Sequence, residues 1–158
     1  MDKYINPFSQ KTEAIAQEFD KAICNKDADG LKQLVDKALK NITSYDTASQ
    51  AQIFYCVGTV LSEIYKLQGV SYCEESYEKQ IYYYRKSVEL INDNELSKEE
   101  YLPYIRGFKC NLYTNYANAL NQVGRIIAAI EQYSLALSIN PSFWQPFVKD
   151  ILKKNLKR

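Results

Sequence analysis

Apolar residues recur along this chain at intervals of three and four, and strand-like alternation is sustained nowhere. Ala14, Ile15, Phe19, Ala22 and Ile23 share one face of a first helix that Ser9 can cap and that stops near Asn25. Leu31, Leu34, Val35, Ala38 and Leu39 follow the spacing of a core-facing second helix. Thr47 with Gln50 reads as a capping box for a third helix from Ala48 to about Leu67, which Gln68-Gly69 ends. A fourth begins at Ser71, its body running from Glu74 to Ile91, and Asn92-Asp93-Asn94 closes it.

Ser97-Lys98-Glu99-Glu100 reads as a second capping box, but Pro103 belongs in a first helical turn. The pattern therefore predicts a short turn near Lys98 and a main helix from Leu102 to Gln122, stopped by Val123-Gly124. A sixth helix follows from Arg125 to Ser138, and after Asn140-Pro141-Ser142 a last one runs to about Leu156. The expectation is an all-α fold of about seven helices. Their short links make neighbours antiparallel, which leaves a closed bundle or a stack of helix hairpins.

One segment decides between the two. Cys110 to Phe143 is 34 residues long. Tyr113, Tyr116 and Leu120 are its large positions, and Ala117 and Ala129 form a small pair that lets two helices cross closely. Gly124 stands at the turn, Tyr133 and Ala136 continue the second stripe, and Pro141 closes the unit. This pattern resembles a tetratricopeptide repeat. It departs from the family pattern in having Tyr for the usual Trp and Ala for the usual Gly. A weaker unit at 51–91 places Phe54, Val57, Gly58 and Leu61 on the first helix and Tyr84 and Ser87 on the second. It holds ten extra residues, and Gln80 stands where a small residue is usual.

The resemblance implies a single domain over 1–158, stacked as a short right-handed superhelix. Its parts would be a degenerate hairpin at 9–43, an elongated hairpin at 47–92, a repeat at 102–141 and a capping helix at 142–156. Phe143, Trp144, Phe147 and Ile151 would pack that cap onto the last hairpin, with lysines outside.

Composition narrows the chemistry. A net charge of +1 gives no electrostatic footprint for nucleic acid or an anionic membrane. The chain has no His, the commonest general base and metal ligand. Cys24, Cys56, Cys73 and Cys110 form no C-x-x-C pair, so they read as small buried hydrophobes and not as a metal site. Neither an N-terminal apolar run nor a membrane-spanning stretch occurs, which points to the cytoplasm. Phosphate-loop and nucleophile-elbow motifs are missing, and the pairs Asp27/Asp29 and Glu99/Glu100 sit at helix starts, where acids are expected. The expectation is no enzyme and no cofactor.

Binding is the remaining class. In repeats of this type the first helix of each hairpin lines a groove. Asn111, Thr114, Asn115, Asn118 and Gln122 are its expected solvent-side residues in the last repeat. An uncharged amide stripe both donates to and accepts from an extended peptide backbone. Asn118 matches the groove asparagine of many peptide-binding repeats, whereas the basic residues that clamp a terminal carboxylate are not at the matching places. Tyr82 and Tyr83 head a second candidate, within the tyrosines from Tyr65 to Tyr84. The partner expected is a protein or peptide, with self-association through an open stack end as a further expectation and no membrane. The alternative is a helical-repeat RNA-binding accessory that uses those tyrosines and the basic C-terminus. Residues 114–143 also resemble the repeat segment preceding a HEPN ribonuclease domain in some bacterial defence proteins. The HEPN motif needs a His, so that kinship implies a binding part and not the nuclease.

Overall fold

A computed structural model describes residues 3–70, 74–140 and 153–154. Among these are six α-helices: α1 (Gln10–Cys24), α2 (Ala28–Lys40), α3 (Thr47–Leu67), α4 (Glu74–Ile91), α5 (Leu102–Gln122) and α6 (Ile126–Ile139). The described residues contain no strand. Of the expected seventh helix only residues 153 and 154 are described, both helical and exposed; Phe143, Trp144, Phe147 and Ile151 lie outside the described residues, as do Tyr72, Cys73 and Pro141.

Local chemistry sets the boundaries. Ser9 caps α1, its side chain accepting from the Thr12 N–H. The cap of α3 is Asp46 and not Thr47. The Asp46 carboxylate accepts from the Ser49 N–H at 2.8 Å, and the Gln50 side chain donates to the Tyr45 carbonyl. An aspartate one residue upstream outcompetes the threonine because its charge also favours the positive helix end. The box expected at Ser97 does not form: the Ser97 hydroxyl donates back to the Asn94 carbonyl within a 3-10 turn. A second 3-10 turn, Glu99–Tyr101, leads into α5, with Pro103 in its first turn, where no N–H is needed.

The first helix of each hairpin ends in the same way. After α1, α3 and α5 the chain passes through a left-handed residue: Lys26 (φ 54°), Gly69 (φ 78°) and Gly124 (φ 79°). The next N–H then reaches back five residues: Asp27 to Ala22, Val70 to Tyr65 and Arg125 to Leu120, each at 3.0 Å. These are Schellman closures, which satisfy carbonyls the helix end leaves open. Glycine supplies this backbone twice, while Lys26 adopts it against a steric cost. Lys26→Gly is therefore expected to raise stability by about 0.5–1 kcal/mol. A urea midpoint that stays put or falls would refute the strain.

Each helix packs mainly on its sequence neighbours: α1 on α2, α3 on α4, and α5 on α6, with α2 and α1 against α3 and α4 against α5. The core has two main parts. Phe19, Leu31, Val35 and Ala38 of the first hairpin meet Ile53, Val57, Val60 and Ile64 of α3. The opposite side of α3, with Ala48 and Ala51, joins Ile81, Tyr84, Leu112, Tyr116, Ala117, Ala129 and Tyr133. So α3 stands in both.

The α3–α4 and α5–α6 hairpins repeat the same crossing. In one, Tyr84 lies against Gly58, and its hydroxyl meets that of the next residue, Thr59, at 3.1 Å. In the other, the Tyr133 hydroxyl bonds the side chain of Asn118, the residue after buried Ala117. One helical turn further along, Ser87 donates to the Ala51 carbonyl and Cys110 to the Ala136 carbonyl. A small residue on the first helix, with a tyrosine laid over it from the second, thus defines both crossings.

Candidate functional site

α5 packs against α4 and α6 and touches α3 through Asn115 and Phe108. From Cys110 to Gln122 its buried positions are Cys110, Leu112, Tyr113, Thr114, Tyr116, Ala117, Ala119 and Leu120. The positions left open or half-open are Asn111, Asn115, Asn118, Asn121 and Gln122, every one a carboxamide. The outward stripe of α5 is therefore uncharged and able both to donate and to accept.

The individual residues differ. Asn111 and Gln122 are exposed. Asn115 is half-buried, and its amide donates to the Tyr55 hydroxyl of α3 at 2.8 Å, linking the two first helices. Asn118 accepts from Tyr133, so its oxygen holds the hairpin together. Thr114, expected on the solvent side, is instead 6% exposed. Its hydroxyl turns back to the Cys110 carbonyl at 2.8 Å, which lets threonine behave as a small apolar residue between helices.

Tyr82 and Tyr83 do not join this stripe. The Tyr83 ring stacks on Phe54 at 6.1 Å, at the edge of the core shared with α1 and α2, and burial pushes its hydroxyl above the usual range. Tyr82 is 51% exposed, set edge-on to Tyr83, with the Lys86 ammonium 5.2 Å from its ring centre. These make a separate small patch on α4.

A third feature escapes sequence reasoning. The N-terminal segment crosses the start of α5 before it enters α1. The Ile5 N–H donates to the Glu100 carbonyl at 2.8 Å, and Lys3 pairs with Glu99 at 3.4 Å. Phe8 then sets its ring 5.1 Å from Phe108, one turn before Asn111 on the same stripe. From there rings run on: Phe108 to Tyr55 at 5.4 Å, Tyr55 to Tyr84 at 6.0 Å and Tyr84 to Tyr116 at 6.4 Å. Burial raises the Tyr55 and Tyr84 hydroxyls above their ordinary range. An apolar residue just before a helix cap was the available signal, but such a residue usually packs on its own helix.

Cys24, expected as a buried hydrophobe, is instead exposed at the end of α1, whereas Cys56 and Cys110 are shielded from reaction. Burial, with some help from Asp20, pushes the Cys56 thiol up to about 12, and burial also raises that of Cys110. Among the described residues no three His, Cys, Asp or Glu side chains come together as metal ligands would, and no helix is long and apolar enough to cross a membrane. No protein-family model matches the chain, and no curated protein matches it in sequence.

Proposed function

We propose that this chain is a non-catalytic binding module of the tetratricopeptide type, whose first helices α3 and α5 offer a face to an extended segment of a protein partner. The observation that carries the reading is the outward stripe of α5. Every open position from Asn111 to Gln122 is a carboxamide, and the other positions of that stretch are buried. A merely solvated face would be expected to mix in lysine and glutamate, as the outer face of α2 does at Lys32, Asp36, Lys37 and Lys40. The twice-repeated crossing of small residue and tyrosine supports the family reading, since close hairpin crossing is what that repeat pattern encodes.

The test uses Asn111→Ala/Gln122→Ala, which alters only exposed side chains and spares the bonds made by Asn115 and Asn118. Wild type and variant, matched for helicity by circular dichroism, are used for quantitative affinity capture from source-cell lysate. Overlapping peptides of each captured protein then go back to the pure chain. A linear peptide that binds wild type and loses at least tenfold on the variant is the expected result. A captured set and peptide affinities that do not change would sink the groove reading.

The exposed Tyr82 ring with Lys86 above it favours a second reading, single-stranded RNA binding by stacking and charge. That reading demands a salt-sensitive mobility shift with single-stranded RNA that Tyr82→Ala abolishes. Indifference to RNA at low salt removes it.

A further inference from the structure

We propose that residues Lys3–Phe8 are a built-in occupant of the binding face, and that the external ligand is an extended peptide that places an aromatic side chain on Phe108 and displaces them. The inference rests on the peptide-binding reading above and specifies what such a peptide looks like.

The segment already sits as a ligand would. It is non-helical, with Pro7 fixing its backbone and disfavouring helix at Asn6, and it bends at Phe8, whose N–H donates to the Asn6 side chain at 2.9 Å. It supplies one backbone N–H to the Glu100 carbonyl, one cation to Glu99 and, five residues after that cation, one aromatic ring to Phe108. Those three contacts define the ligand class: a basic residue, a non-helical stretch with a free backbone N–H and an aromatic residue, in that order. The segment also walls the open space around it. Tyr4 borders a cleft of about 500 Å³ with Leu102, Pro103 and Arg106. Pro7 borders another of about 460 Å³ with Ala48, Leu96 and Tyr101.

Two observations make it displaceable. Its hold is slight: the Lys3–Glu99 pair is 71% and 76% exposed, Tyr4 and Ile5 remain 42% and 52% exposed, and Phe8 is the segment's ring in the core. Its reach is also short. Past Phe108 the chain turns at Ser9 into α1, so it never runs along Asn111 and beyond. An external peptide that continues from Phe108 gains the amide stripe, which offsets the millimolar effective concentration of a tethered competitor. The segment thus selects against short aromatic peptides.

The test needs no knowledge of the partner. A fluorescein-labelled synthetic peptide of residues 3–9 is titrated into full-length wild type and full-length Phe8→Ala, with anisotropy as readout. The expected result is saturable binding at least tenfold tighter on the variant, whose face is vacated, and none for the peptide carrying Phe8→Ala. Equal affinity for both chains, or no saturable binding to Phe8→Ala, overturns the proposal. Should Phe8→Ala lose helicity, Ile5→Pro removes the N–H donor and leaves the ring; a several-fold gain in affinity is then expected, and no gain overturns it. Failure here with capture still sensitive to Asn111 and Gln122 refutes only the displacement. Success here with capture insensitive to them refutes the amide stripe instead.

Discussion

Replacing Tyr133 with alanine is expected to destabilise the protein by about 3–5 kcal/mol, the range for removing a large aromatic from a closed core. The ring is fully buried at the α5–α6 crossing, over Ala117 and Ala129, which are themselves fully buried. Neither alanine can expand into the space left behind. Burial pushes the hydroxyl up to about 12, as an apolar surrounding should. Tyr133→Phe keeps the ring and removes only the bond to Asn118, so it is expected to cost about 1 kcal/mol. Asn118 is half-buried, and water can take up part of the loss. Urea unfolding followed by circular dichroism separates the two. If alanine costs no more than phenylalanine, the hydroxyl and not the ring holds the crossing.

Gly58→Ala is the second, and here the usual sign reverses. Alanine in place of glycine inside a helix normally gains up to about 1 kcal/mol. At Gly58 a Cβ would lie 2.7 Å from Cε1 and 3.0 Å from Cδ1 of the Tyr84 ring. That ring cannot easily yield: its hydroxyl is held by Thr59, and Tyr55 and Tyr116 flank it. The substitution is therefore expected to cost about 1–3 kcal/mol, the range for overpacking a core. The decisive comparison is the same substitution on a Tyr84→Ala background. With the ring gone, Gly58→Ala should become neutral or stabilising, because only the helical preference remains. A penalty that persists without the ring would mean that Gly58 serves something other than the crossing.

Much of this fold is written locally in the sequence. Helix positions were legible because the signals are local: spacing of three and four, Ser9 before α1, Pro103 in the first turn of α5, Gly69 and Gly124 after helix ends. The pairing of Gly58 with Tyr84 across ten extra residues was legible because a glycine amid large apolar residues invites a close neighbour. What remained hidden depends on contacts between distant parts of the chain. Thr114 looked exposed by periodicity, yet α4 and α6 pack on α5, and a back-bonded hydroxyl can be buried there. Asn115 and Asn118 looked equivalent to Asn111, but Tyr55 and Tyr133 hold them, and neither partner follows from the stripe itself. The seating of Phe8 on Phe108 joins positions 100 residues apart, with no periodicity to announce it.

The double duty of α3 bears on how such a protein can be inherited or re-engineered. Repeat architectures are often treated as beads that may be added, dropped or shuffled one at a time. Here the joint between the first and second beads runs through the body of a helix, because Ile53, Val57, Val60 and Ile64 belong to the first core while Ala48 and Ala51 belong to the next. Cutting the gene between α2 and α3 would strand those four side chains in water. A change made in α6 leaves that joint untouched, so the two ends of the described helices differ in what an excision would expose.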